Sequence, residues 1–320
     1  MKRIILAACI LLVIFFVSVY FFIPSQILVK SIVPVRCNGF GADRVLGDTG
    51  HWKRWWPETS QQADHEGTNE WYFRGCRYRL NRRLLRSAEI AVAGKGKEKE
   101  VLGLLSVFPM VTDDSCYLLW EFSLEAGLNP IQRIKQYQHA KELKSDMEVI
   151  LGDLRSYLEE EDHVYGISVI EGSAKDNLLV ESTRMAGSYP STGDIYSLVK
   201  KLQGYILLNH GLVTGYPMAN IMGRAGQFQL RVAIPTNQPV PETDSIRNRA
   251  LPGVKFLEAE VKGGAATVNE AMEQMNNYIS DHHRTVMAIP FFSLETDRIA
   301  EPDSTKWMTR IYYPIFPVGR

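Results

Sequence analysis

Ile4 to Ile23 is an uncharged, almost wholly apolar run behind Lys2 and Arg3. Its length matches a bilayer core, so it predicts a transmembrane helix. It ends in Phe21-Phe22-Ile23-Pro24 without the Ala-x-Ala pattern of a cleaved signal, which predicts an uncleaved anchor. Leu6-Ala7-Ala8-Cys9 leaves lipidation at Cys9 as an alternative. Beyond the run, Gln26 to Val35 alternates like a strand. Trp71 to Asn81, Arg83 to Ala93, Val101 to Val111 and Cys116 to Leu124 follow as further strands, broken at Gly94-Lys95-Gly96-Lys97 and Thr112-Asp113-Asp114-Ser115. Asn129-Pro130 then opens a long helix with Ile134, Tyr137, Met147, Ile150, Leu151, Leu154 and Leu158 at mostly helical spacing. An antiparallel sheet gripping one long helix satisfies both patterns and leaves a cavity between them.

An acidic stretch, Leu158 to Asp162, closes that helix, and strand patterning resumes at Val164. A duplication follows. Ile195, Leu198, Val199, Leu202, Tyr205 and Ile206 form a helical stripe that Val268, Ala271, Met272, Met275, Tyr278 and Ile279 repeat at the same spacing. In step with the stripes, Asn209-His210 falls on His282-His283, and Gly215-Tyr216-Pro217 falls on Ala288-Ile289-Pro290. Arg231-Val232-Ala233-Ile234-Pro235 recurs slightly later as Arg310-Ile311-Tyr312-Tyr313-Pro314. Each unit reads as β-α-β-β, with strands at Ile167 to Glu171 and Asn177 to Thr183 before the first helix and Val254 to Val261 before the second. Paired side by side, the units predict a curved sheet with both helices on one face and a ligand groove on the other. The fold class is therefore α+β: a transmembrane helix over 1–25, a helix-grip domain over 26–161, and a duplicated domain over 162–320 with repeats at about 164–240 and 254–318.

Composition changes this picture little. Lys plus Arg and Asp plus Glu are 36 each, and no nucleic-acid-reading module is present, so no nucleic-acid partner is expected. The short basic head Lys2-Arg3 favours the N-terminus inside, despite Lys30, Arg36 and Arg44 beyond the run. That places the chain in the cell membrane as a single-pass protein with its domains on the extracytoplasmic, periplasmic side. Cys37, Cys76 and Cys116 then face an oxidising compartment. Two readings stand: Cys76 pairs with Cys116, or all three are separate half-buried thiols. The cluster His51 to Pro57, with Trp52, Trp55 and Trp56, either plugs the end of a core or stacks on a ligand. His210, His282 and His283 lack a carboxylate to complete a metal set, so no metal is expected. No P-loop, Gly-x-Ser-x-Gly elbow, His-Glu-x-x-His or dinucleotide fingerprint occurs, and no cofactor is expected.

On the repeat, Leu212 to Pro217, Phe292-Ser293-Leu294-Glu295 and the closing strand Met308 to Pro314, the last domain resembles the gyrase-inhibitor-like (GyrI-like) or AraC effector-binding module of multidrug-sensing regulators. On the His51 to Pro57 block and the Asn129-Pro130 helix start, the preceding domain resembles the START-like polyketide cyclase superfamily (SRPBCC). The first resemblance implies that Glu295 faces the groove and neutralises cationic aromatic ligands. Where that family carries a tyrosine two residues later, this chain has Asp297. The other reading of Glu295 is a surface pair with Arg298 or Arg310. Phe291, Tyr216, Trp307, Tyr312 and Tyr313 are the candidate aromatic walls, of which alternation turns about half elsewhere. Together these features predict a membrane-anchored protein that binds a small hydrophobic or amphipathic ligand as a sensor or sequestering factor, and the resemblance implies that cations are among the candidates. The alternatives are a hydrolase of reactive small molecules acting through Glu295, and a structural, partner-binding envelope protein.

Overall fold

The computed structural model describes residues 2–57, 69–94, 100–110, 114–173, 178–224, 226–251 and 254–317. The turns expected at Gly94 to Lys97 and Thr112 to Ser115 lie largely outside them. The chain divides into two units, Met1–Glu160 and Glu161–Arg320.

The first unit opens with helix α1 (Lys2–Phe22). Among the described residues no helix is long and apolar enough to cross a membrane, and part of the run expected to do so has side chains outside the described set. Strand β1 (Gln26–Val35) buries Ile27, Val29 and Val35 on one face, as its alternation requires. Two short helices, α2 (Gly39–Gly47) and α3 (Thr49–Trp55), precede β2 (Glu70–Phe73), β3 (Cys76–Leu84), β4 (Ser87–Ala93), β5 (Glu100–Pro109) and β6 (Cys116–Glu125). The antiparallel sheet runs β1-β6-β5-β4-β3-β2. Helix α4 (Pro130–Leu158) starts where Asn129 caps it, the side chain accepting from the Ile131 N–H at 2.9 Å. Its stripe Leu143, Met147, Ile150, Leu151, Leu154 and Leu158 is buried.

Rings fill much of the space expected to be open between sheet and helix. Trp52 lies 4.5 Å from Trp71 and stacks on Trp56 at 6.0 Å between ring centres, and Trp56, Tyr78, Trp120 and Phe122 continue the series inward. Trp52 and Trp56 donate their indole N–H to the carbonyls of Leu46 and Tyr72, both at 3.1 Å, so these rings are fixed core. Cys37, Cys76 and Cys116 form no disulfide. Cys116 on β6 is separated from Cys76 on β3 by two intervening strands, and strands about 4.8 Å apart put the two beyond disulfide reach. Burial raises the Cys116 thiol to about 11.

The second unit runs α5 (Glu161–Tyr165), β7 (Ile170–Ser173), β8 (Leu178–Ala186), α6 (Thr192–Leu208), β9 (Met218–Arg224), β10 (Gln227–Pro235), β11 (Arg247–Ala250), β12 (Lys255–Lys262), α7 (Ala265–Asp281), β13 (Phe291–Leu294) and β14 (Met308–Ile315). Its antiparallel sheet has the order β11-β8-β10-β9-β13-β14-β12-β7. The repeats are plain in this order. β8-β10-β9 and β14-β12 with β13 mirror each other about the β9·β13 pair, where Ala219 meets Phe292 and Met218 meets Ser293. Both helices are 17 residues long, and each is followed by a left-handed histidine, His210 (φ 58°) and His283 (φ 49°). The flanking strands depart from the simple β-α-β-β expectation. β7 precedes β8 in sequence yet pairs with β12, while β11 precedes β12 yet pairs with β8, so the two repeats exchange edge strands.

Both helices cover the same face. Under α6 lie Val180, Leu230, Val232 and Ile234; under α7 lie Leu257, Ala259, Val261, Ile311 and Ile315. On the opposite face no helix of this unit packs among the described residues.

Candidate functional site

On the open face a cavity of about 300 Å³, open on one side, sits over the first repeat and reaches across the midline to the second. Its apolar wall includes Leu179 and Met218 on β8 and β9, Ala233 on β10, Ile289 before β13, Phe291 on β13 and Pro314 on β14. Asn220 on β9 donates to the Pro290 carbonyl at 2.6 Å and so fastens the Ala288-Ile289-Pro290 segment beside the cavity.

Three lining residues are ionisable: Glu181 on β8, Arg231 on β10 and Arg249 on β11. The Glu181 side chain is only 10% exposed and accepts from Arg249 Nε at 2.8 Å. Arg231 Nε stands 4.0 Å from the other Glu181 oxygen, too far for a hydrogen bond, and is buried without a partner. Register explains why these groups meet. Glu181 is opposite Ala233 on β10 and opposite Arg247 on β11, and Arg231 is opposite Asn220 on β9, so all belong to one face.

The second repeat carries a different set at the same places. Phe256 on β12, Phe291 and Tyr312 pack together, with Phe291 and Tyr312 stacked at 5.1 Å and an angle of 18°, and Phe256 edge-on to both at 5.6 Å. Arg310 is held by two carboxylates, Glu295 at 3.1 Å and Glu260 at 2.9 Å. Glu258 lies over Gly172 on β7, where a Cβ would collide with its carboxylate. Burial first, then Glu258, raises the pKa of the Tyr312 phenol.

The expected site residues therefore separate. Phe291 lines the cavity and Tyr312 backs it. Tyr313, one position on, turns to the helix face, where it is 3% exposed and donates to the Met272 carbonyl at 3.3 Å; the pleat excludes it from the groove. Trp307 is tied into the loop before β14: its indole N–H donates to the Glu301 carbonyl at 2.7 Å and Arg298 lies over its ring at 4.7 Å. Tyr216 is 56% exposed and does not line the cavity. Glu295 is outside the lining too, since it pairs with Arg310. Glu181, Arg231 and Arg249 were missed, although Arg231 and Arg310 already match in the repeated strand.

A second cavity, also about 300 Å³, lies in the first unit beside α4, lined by Arg74, Cys76, His139, Glu142 and Asp146 among others. Arg74 donates to Asp146 at 3.1 Å, and burial is the main cause raising the Asp146 carboxyl above its ordinary value. This wall is charged and internally paired. Among the described residues no three His, Cys, Asp or Glu side chains are grouped to hold a metal.

No known protein family matches the chain, and no curated protein matches it. Among solved structures the chain is similar to EcmrR in a complex with DNA, at 13% identity over 60% of this chain and 73% of that one, with a TM-score of 0.43. It is also similar to SAV2435 bound to tetraphenylphosphonium, at 15% identity over 47% and 95%, TM-score 0.34. A START superfamily protein from Mycobacterium smegmatis is similar at 14% identity over 41% and 97%, TM-score 0.30. At such identities none of the three says what this chain binds. What the fold and cavity define is an α+β chain whose second unit is a duplicated sheet-and-helix module with an open, largely apolar cavity.

Proposed function

We propose that the second unit binds a small apolar or amphipathic molecule in the cavity over its first repeat, and that α1 tethers the chain to a membrane with both units on the extracytoplasmic side. The cavity carries the binding reading. Its volume of about 300 Å³ lies at the lower end of small-molecule sites, and its wall combines apolar side chains with a few convergent polar groups. Phe291, backed by Tyr312, supplies its aromatic side. The tether rests on the uncharged run Ile4 to Ile23 and a helix of 21 residues, about 32 Å long at 1.5 Å per residue. Sensing or sequestration, rather than turnover, accords with a Glu295 carboxylate already committed to Arg310.

The test is made on the full chain recovered from a membrane fraction washed with alkaline carbonate and reconstituted in lipid nanodiscs. Neutral, anionic and cationic versions of one alkylbenzene are titrated while the melting temperature is followed. A ligand at a hundredfold excess over its Kd stabilises by about 2.7 kcal/mol, a rise of several degrees. Loss of the chain to the carbonate wash would overturn the tether. No shift with any of the three compounds would overturn the binding reading.

A further inference from the structure

The two repeats provide for their shared arginine differently. Register makes Arg231 and Arg310 equivalent: Arg231 faces Thr183 on β8 and Asn220 on β9, and Arg310 faces Glu260 on β12 and Ser293 on β13. Glu260 thus corresponds to Thr183. Two positions beyond the Asn220 and Ser293 pairings, Glu295 corresponds to Met222. Both carboxylates that hold Arg310 are therefore replaced, by Thr183 and Met222, around Arg231. Among the described residues of the wall the one carboxylate, Glu181, is engaged by Arg249 and leaves Arg231 Nε buried without a hydrogen-bond partner.

The ionisable groups in the wall are thus two guanidinium groups and one carboxylate, an excess of one positive charge. A guanidinium has five N–H donors in a rigid fork suited to a carboxylate. The Arg231 Nε is sealed from the cavity, but the side chain is 38% exposed, so its terminal N–H groups are the donors that a ligand carboxylate reaches at no cost to the protein's own pairs.

From this geometry we propose that the cavity takes a small amphipathic monoanion, whose carboxylate is bound by Arg231 with help from Arg249 and whose apolar body lies against Leu179, Met218, Ala233 and Phe291. The proposal rests on the small-molecule reading of the same cavity. It reverses the expected charge of the ligand, because the carboxylate that was to attract a cation, Glu295, lies in the other repeat and is already neutralised. The volume of about 300 Å³ suits one ring with a short alkyl chain.

The test uses the full chain in nanodiscs of zwitterionic lipid, with empty discs as the control for partitioning. Calorimetric titrations compare 4-butylbenzoate, 4-butylbenzyl alcohol and 4-butylbenzylammonium, which share one body and differ in charge. The benzoate is expected to bind about tenfold or more tighter than the alcohol, with the ammonium weakest. Arg231→Gln is expected to remove that advantage, bringing the benzoate down to the level of the alcohol. Met222→Glu keeps the arginine but restores the partner found in the second repeat, so it should weaken the benzoate selectively even if Arg231→Gln fails to fold. If the ammonium binds tightest, or the benzoate no better than the alcohol, the charge assignment is wrong and the small-molecule reading survives. If none of the three saturates the protein, the small-molecule reading itself falls.

Discussion

Three positions on the open face of the second unit hold Leu179, Met218 and Ala233 in the first repeat and Phe256, Phe291 and Tyr312 in the second. The strand registers make them equivalent: Leu179 faces Pro235 as Phe256 faces Pro314, and Ala233 faces both Glu181 and Met218 as Tyr312 faces both Glu258 and Phe291. The backbone is the same twice. Three rings in contact close one half, whereas an alanine between two flexible side chains leaves the other half open. A duplicated fold can thus make one cavity rather than two by changing side-chain volume at a few matched places. Charge follows the same division, with Arg231 underpartnered beside the cavity and Arg310 doubly paired beside the rings.

Copying the closed half onto the open one should have the largest effect. Ala233→Tyr places in the first repeat the ring that Tyr312 supplies in the second, and the cavity has room for it. The expected result is loss of measurable binding for every compound that binds the unaltered protein. Stability should hold, because the added ring buries apolar surface in existing space and displaces no buried side chain. Titration and a thermal melt check both halves of the statement. Undiminished binding by a folded variant would mean that the ligand sits elsewhere.

The reverse change tests whether the rings do the closing. Tyr312→Ala removes the partner that stacks on Phe291 and abuts Phe256, and should cost about 2–4 kcal/mol of stability, less than a fully buried ring because Tyr312 is only partly covered. The space it vacates is flanked by Glu258, Glu260 and Glu295 against one Arg310. A cation such as 4-butylbenzylammonium should bind there more tightly than it binds the unaltered protein. A variant that melts lower but gains no cation site would show that the neighbouring rings collapse into the gap.

Much of this was legible in the sequence, and the part that was not has a common cause. The duplication showed itself through two helical stripes and the strand Arg231 to Pro235 recurring as Arg310 to Pro314, because helix period and strand order are local properties. Asn129 and Pro130 announced α4 for the same reason. What stayed hidden depends on pairing between distant segments. Glu181 enters the site only once β8 is set against β10 and β11, and the exchange of β7 and β11 between repeats leaves no mark on either short strand. Tyr312 and Tyr313 look alike in sequence until the pleat assigns them opposite faces. In the first unit the tryptophans that could have lined the expected cavity are themselves core, and the space left beside α4 is the charged pocket at Arg74 and Asp146.

The smallest effect expected from the comparison concerns pH, since the second repeat carries a phenol where the first has only the methyl of Ala233. Burial, and next the Glu258 carboxylate, lift the Tyr312 phenol above its ordinary value of 10.0, while Arg310 opposes them. The folded chain therefore holds this proton more tightly than the unfolded chain does. Its contribution to stability is complete below the unfolded value, about 10, and is lost as pH rises through the folded one. Tyr312→Phe keeps the ring against Phe291 and Phe256 and removes the titrating group. Near neutral pH the variant should differ from the parent by about 1 kcal/mol or less. Above pH of about 10 its melting temperature should fall less steeply than the parent's, while Tyr78, Tyr196 and Tyr313, whose phenols burial also raises, contribute equally to both curves. Parallel curves through that range would place the Tyr312 hydroxyl in solvent and remove it from the closed half of the face.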